Sequence, residues 1–315
     1  MGQRRLQVSG ALPGLEADEE RPRHPGGDFG IQSAALEKRR LTNPEECVNR
    51  VVIAIAWLGL VGLARGGAPP AAKSPDPSLD RVRAKGELVV GLDEAFPPLG
   101  FRDASGTLVG FDVDLARAAC ARLGIDLALR PIAWDEKEQE LESGRVDCIW
   151  SGFTITPARR ARWNFSEPYL ANAQVLVVRD DAPISGRKDL AERRLGLQAG
   201  SSAAEVLDAT PNFKELLAEI VAFKTIPAAL EALEAGRVDA VLMDELMAYD
   251  RIGPGGKPYR VLANRFAVEQ YGVAFRKSDR ALRDAVQAEL SAMARDGSLA
   301  ELAVHWFGAN IAIVK

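Results

Sequence analysis

Apolar and polar positions fall into a regular rhythm from about residue 79 onward, and the rhythm predicts alternating strands and helices. Residues 87–91 (ELVVG) read as a strand and lead into a Pro-containing turn. Residues 111–123 read as a helix started by Asp112, with Val113, Leu115, Ala116 and Ala119 on its apolar face. A short strand at 127–129, a helix at 135–143 and a buried strand at 146–150 follow. Residues 195–197 predict another strand. Residues 279–296 predict a helix whose Leu282, Val286, Leu290 and Met293 form one core-facing stripe. Strands alternating with helices imply an α/β fold with a parallel sheet covered on both faces.

An internal repeat adds a second level of order. The segment 141–148 (LESGRVDC) recurs as 233–240 (LEAGRVDA), and in each copy a helix ends at Gly and a strand follows. Two copies predict two similarly built lobes and not a solenoid. Asp147 and Asp239, matched in the repeat, are assigned to the turn before each strand.

The strand after the first copy runs into 151–160 (SGFTITPARR). Pro157 is placed to open a helix with Thr156 as its N-cap. Arg159 and Arg160 then fall in the first turn, where a cation is unfavourable unless an anion lies nearby. Backbone N–H groups, hydroxyls and a guanidinium fork together make a carboxylate cradle. Other candidates follow strands in the same way: Asp93, the stretch from Gln198 to Ser202, and Asp244 after the second repeat copy. Open α/β sheets bind ligands at strand carboxyl ends, so two lobes facing each other gather these residues in one cleft. Arg159 and the N–H groups suit a carboxylate and Asp244 an ammonium. Asp93 and the rings of Phe96 and Trp134 are left for the rest of the ligand. That is a constellation for an α-amino acid.

Upstream of residue 79 the pattern changes. Residues 1–50 have few periodic apolar positions and many Pro, Gly and charged residues, and read as disordered or absent from the working protein. Residues 51–64 (VVIAIAWLGLVGLA) form an unbroken apolar run, short for a membrane span and suited to a signal-peptide core. Arg50 precedes it and small residues with Pro follow. Such a core belongs near a chain start, so translation is expected to begin near Val48, with residues 1–47 a mis-annotated extension. The expected plan is a signal peptide at 48–72, a linker at 73–78, lobe 1 at 79–176 plus 272–315, and lobe 2 at 177–271. The expected location is the periplasm.

Composition narrows the chemistry. The chain has 315 residues, enough for two ordinary domains, and a formal net charge of −4, which does not favour nucleic acid. Cys47 precedes the export segment. Cys120 and Cys148 admit two readings, a disulfide in an oxidising compartment or two buried free thiols. His24 and His305 are the only histidines, which argues against His-based catalysis or a His-rich metal site. Asp112 and Asp114 have the look of a DxD metal pair, with helix initiation the favoured alternative. Neither metal nor cofactor is expected.

At this point the chain from Leu79 to Gly308 resembles the periplasmic solute-binding proteins of polar amino-acid ABC importers, family 3, of type II two-lobed architecture. The resemblance rests on 90–93 (VGLD) with 96–98 (FPP), 110–115 (GFDVDL), Gly152 through Arg159, 165–169 (FSEPY), 236–240 (GRVDA) with Asp244, and 306–308 (WFG). It implies that Arg159 holds the ligand carboxylate, helped by the N–H groups of Thr154 and Ser202. Asp244, the Gly152 carbonyl and the Thr154 hydroxyl then hold the ammonium, and Ser151 is counted among the ligand-binding residues. Phe96 and Trp134 sandwich the side chain, and Asp93 reaches its polar end. Gln198, and Met243 beside Asp244, depart from many basic and amide binders, so the resemblance implies a polar L-amino acid and leaves open whether it is basic or amide. The resemblance also implies a monomer that closes on its ligand and docks on an inner-membrane permease, with chain crossings between lobes near 174–178 and 270–275.

The rival reading is a cyclohexadienyl or arogenate dehydratase on the same fold, invited by Glu94 beside Asp93. Trp134 has a bland alternative as core, and for Trp150 core is the favoured reading.

Overall fold

A computed structural model describes residues 76–252 and 258–314 of the chain, and the described residues from Pro77 onward fall within one compact unit. The expected extension, signal peptide and most of the linker lie outside the described residues, as do Cys47 and His24.

Two sheets carry the architecture. The first runs in the order Asp126–Pro131, Glu87–Leu92, Cys148–Ile149, Ala274–Phe275, Asn164–Phe165. Its first three strands are parallel, and Ala274–Phe275 is antiparallel to both neighbours. The second runs Glu219–Phe223, Arg194–Gln198, Ala240–Asp244, Leu170–Arg179, Tyr259–Val261, with Ala267–Tyr271 also pairing to Leu170–Arg179. Here too three parallel strands are followed by an antiparallel one. The two lobes are therefore built alike. A small antiparallel sheet of Ala95–Phe96, Gly100–Arg102 and Leu108–Val109 sits on the first.

The sequence repeat has a physical counterpart. Gly144 and Gly236 both take positive φ, 76° and 68°, which releases the chain from its helix. Three residues on, Asp147 Oδ2 accepts from Val89 N at 2.9 Å, and Asp239 Oδ2 accepts from Arg194 N at 2.9 Å. Each aspartate thus ties the start of its own strand to the neighbouring one.

Most elements form where the pattern placed them. The helix Phe111–Leu123 matches the expected span, although Gly110 occupies its N-cap position and no side-chain cap forms there. The expected helix at 135–143 divides into a 3₁₀ turn at Trp134–Glu136 and a helix at Lys137–Glu142. Of the expected strand 146–150 only Cys148–Ile149 pairs as a ladder. Leu282, Val286, Leu290 and Met293 are all fully buried on Arg280–Asp296. Trp150 is core, 1% exposed. Cys120 and Cys148 are buried free thiols, and burial pushes Cys120 up to about 12.

One expectation shifts. The residues 174–178, expected to cross between lobes, lie inside Leu170–Arg179, where Gln174 pairs with Asp244 and Val177 with Val241. The chain changes sheets between Phe165 and Leu170, because this long apolar strand completes the second sheet. It returns at Gly272 and Val273. The two crossings lie side by side: Ser166 N donates to Val273 O at 2.9 Å, and Tyr169 N donates to Tyr271 O at 2.9 Å.

Asp112, freed from capping, has another task. Its Oδ2 accepts from Gly152 N at 2.7 Å and from the Tyr169 hydroxyl at 2.9 Å, fastening the Gly152 loop to the first crossing. Its Oδ1 is buried without a hydrogen-bond partner, so ionisation would leave charge unsolvated there. Burial raises its pKa from 3.8 to about 7. Asp114 meanwhile bonds Arg117 and the Trp306 indole N–H.

A raised carboxyl pKa means that the folded state keeps a proton that the unfolded chain releases above about pH 4. Its contribution to stability is present in acid and is lost as pH rises toward 7. Asp112→Asn keeps an acceptor oxygen without the titration. Urea unfolding at several pH values should show wild-type stability falling more steeply than that of the variant between about pH 5 and 7. The difference in slope should reach up to about 1.4 kcal/mol per pH unit. Parallel profiles would contradict this role for Asp112.

Candidate functional site

The first-lobe residues arrive on the loop that leaves Cys148–Ile149. Ser151 Oγ accepts from Asp93 N at 3.0 Å, binding two strand ends together. Gly152 sits at φ 53°, and a Cβ there would lie 2.6 Å from Phe96 Cε1 and 2.7 Å from Leu99 Cδ1. Only glycine fits both the backbone and the space. Thr156 then caps Pro157–Arg162, its side chain accepting from Arg159 N, and this short helix delivers Arg159.

Arg159 is 6% exposed. Its Nη1 donates to Thr154 O at 3.0 Å and its Nη2 to Gly200 O at 3.4 Å, while Nε lies 2.9 Å from Glu205 Oε1. Gly200 and Glu205 belong to the opposite lobe. A guanidinium has five N–H donors, so two remain for a ligand. The Phe153 ring stacks 4.6 Å beneath it. Burial lowers the Arg159 pKa.

Lys137 stands beside it and was not anticipated from the sequence. It is 3% exposed and donates to Trp134 O at 3.0 Å and, across the cleft, to Gly200 O at 2.7 Å. Burial, then the charge of Arg159, lower its pKa to about 8. Two buried cations thus converge on the Gly200 turn.

The second-lobe residues make an anionic counterpart. Leu170–Arg179 runs between Ala240–Asp244 and Ala267–Tyr271, and its Asn172 and Gln174 project amides toward a carboxylate on each flank. Asp244 Oδ1 accepts from Asn172 Nδ2 at 2.6 Å, Gln174 Nε2 at 3.1 Å and the Tyr271 hydroxyl at 2.5 Å. Glu269 Oε2 accepts from Asn172 Nδ2 at 3.2 Å, Gln174 Nε2 at 3.0 Å, Ser202 Oγ at 3.2 Å and Thr154 Oγ1 at 3.1 Å. Burial first and the Glu269 charge second raise the Asp244 pKa to about 7.

Asn172, Gln174, Glu269 and Tyr271 are further residues that sequence reasoning passed over. Their signal was polar side chains at alternate positions of apolar strands, the period that puts them on one sheet face. Placing a crossing at 174–178 hid it.

Thr154 joins the two ends, its carbonyl on Arg159 and its hydroxyl on Glu269 and Ser202. Asp93 and Gln198 close another part of the cleft, with Gln198 Nε2 donating to Asp93 Oδ2 at 2.8 Å. Burial raises the Asp93 pKa. The two aromatic candidates part company. Phe96 lies against Gly152, whereas Trp134 packs edge-on against Phe153 at 5.5 Å in a separate cluster. Glu94 is tied to Arg102 at 2.6 Å near the surface.

Gly152→Ala should displace Phe96 and Leu99 and strain the backbone, costing about 1–3 kcal/mol in chemical denaturation. A loss below about 0.5 kcal/mol would show that the loop tolerates a Cβ.

Comparison with known proteins gives this geometry a context. Residues 88–309 match the family described as bacterial extracellular solute-binding proteins, family 3. The L-cystine-binding protein TcyJ of Escherichia coli K12 is 32% identical over 235 residues, covering 74% of this chain and 87% of that protein. The structure of Tv2483 bound to L-arginine superposes with a TM-score of 0.73 at 32% identity, over 76% of this chain and 97% of that one. An ancestral amino-acid-binding protein described as a precursor of cyclohexadienyl dehydratase, AncCDT-1, gives a TM-score of 0.66 at 31% identity, over 73% and 99%. This chain belongs to the family 3 bacterial extracellular solute-binding proteins.

Proposed function

We propose that this protein captures a free polar L-amino acid between its lobes and delivers it to the permease of an ABC importer. The observation that carries the reading is the polarity of the cleft. Two buried cations, Arg159 and Lys137, meet at the Gly200 turn with Arg159 on the Thr154 carbonyl, and two buried carboxylates, Asp244 and Glu269, share donors with Glu269 on the Thr154 hydroxyl. Buried charges of opposite sign separated by one residue complement a zwitterion. The two spare N–H donors of Arg159 take the α-carboxylate as a bidentate pair. Asp244, Ser151, Gly152, Thr154 and Ser202 surround the α-ammonium. Phe96 and Trp134 border the side chain, and Asp93 and Gln198 meet its polar end.

Asp93, a further buried acid, favours a side chain that donates hydrogen bonds: a basic or amide group, or the second ammonium of cystine. A relative named for L-cystine binding and a similar structure bound to L-arginine are in keeping with that range. The lobes open and close about the paired crossings at Ser166–Tyr169 and Gly272–Val273. The protein works as an exported monomer, released after signal cleavage, and performs no chemistry of its own. Arg102 engages Glu94, the acid that would invite a dehydratase reading.

Thermal unfolding of protein stripped by denaturation and refolding, with each amino acid, ornithine and cystine added, tests this. A ligand at a hundred times its dissociation constant adds roughly 2.7 kcal/mol, a shift of several degrees. Arg159→Ala should abolish the shift while leaving a folded protein. Asp93→Asn should weaken a basic ligand about tenfold or more and leave small neutral amino acids unaffected, as the loss of one buried charge pair predicts. A folded protein silent to the whole panel, or one that turns over prephenate or arogenate, would sink the proposal.

A further inference from the structure

The ammonium end of the cleft holds more acid than one α-ammonium acceptor requires. Asp244 and Glu269 approach from strands on either side of Leu170–Arg179 and share the same two donors, Asn172 Nδ2 and Gln174 Nε2. Both are more than nine-tenths buried, and neither forms an ion pair among the described residues. Every protein donor reaches Oδ1 of Asp244 or Oε2 of Glu269, so the other oxygen of each carboxyl accepts none among the described residues. The Gln174 carbonyl oxygen, in the same cluster, is buried without a partner. Unused acceptors beside two like charges make a place for a cation with several N–H groups.

On the reading that the ligand is an α-amino acid, we propose that Glu269 is a second acceptor of its ammonium group, and that binding expels a proton held at Asp244. Two carboxylates sharing donors in a dry site cannot both stay ionised without a cation. In the ligand-free protein Asp244, buried beside the Glu269 charge, keeps a proton. An ammonium supplies the missing positive charge, and the proton leaves to solvent. The free protein with one carboxylic acid and one carboxylate therefore becomes a complex with two carboxylates around one ammonium.

The surrounding groups do not supply that proton. Tyr271 donates to Asp244, and burial holds its hydroxyl well above its usual range. Arg159 is the nearby cation and is held by Glu205. Glu245, next to Asp244, is paired with Arg265 at 2.7 Å. Lys137, lowered only to about 8, remains charged in mild acid. Asp112 titrates in the same range as Asp244 but bonds only Gly152 N and the Tyr169 hydroxyl, and a change at Glu269 leaves those bonds in place.

The test is isothermal titration calorimetry of the full chain with L-arginine, L-glutamine and L-cystine, at about pH 6, in phosphate and in imidazole. These buffers differ in ionisation enthalpy, so the apparent binding enthalpies should differ by an amount equivalent to about one proton released. The difference should vanish above about pH 8. The dissociation constant should fall about tenfold per pH unit below about pH 7. Glu269→Gln, which keeps shape and an acceptor, should still bind but with a smaller proton release and a shallower pH dependence. Equal enthalpies in both buffers with binding intact, or a release undiminished in Glu269→Gln, would overturn the inference while sparing the amino-acid reading. The wild-type comparison stands even if the variant does not fold. Absence of binding by all three amino acids and by the rest of the panel would remove both.

Discussion

A guanidinium that is almost wholly buried imposes the constraint on which this cleft depends. Arg159 cannot be taken out of water alone, so acceptors must close around it from both lobes: Thr154 O from its own, Gly200 O and Glu205 from the other. Lys137 adds a second buried cation at the same turn. Asp244, Glu269 and Asp93 supply acid elsewhere in the cleft. Each end is incompletely neutralised by its own lobe. The interface between the lobes is therefore electrostatically tuned to something that carries both signs.

The scaffold positions these charges through one device used twice. In each lobe a helix ends at a left-handed Gly, an Asp ties the next strand to its neighbour, and the strand runs its carboxyl end into the cleft. The matching strand orders of the two sheets follow from that device. The hydrogen-bonded crossings then join the lobes along a narrow seam, and the Asp112 carboxyl links the Gly152 loop to it through Tyr169. The Gly152 loop and the crossing segments are thus mechanically connected.

Much of the fold was legible because it is local. The stripe on Arg280–Asp296, the Thr156–Pro157 helix start and the repeated Gly-Arg-Val-Asp turn depend on residues a few positions apart, where helix period and backbone preference leave little freedom. Strand-end placement was enough to nominate Asp93, Ser151, Gly152, Thr154, Arg159, Gln198, Ser202 and Asp244, and the structure brings them to one cleft. Phe96 and Trp134 reach its neighbourhood in separate clusters.

The remainder was decided by contacts across the chain. Nothing near Glu269 in sequence marks it as a partner of Asp244. Their meeting depends on Leu170–Arg179 lying between their strands in a fixed register. Lys137 reads as a surface residue of a polar helix until the Gly200 turn of the other lobe covers it. The elements, the repeat and the cationic and anionic candidates follow from short-range periodicity and residue chemistry, so the order of residues is enough to read them. Which charges are buried together emerges only on folding, because burial and pairing depend on which distant strands become neighbours.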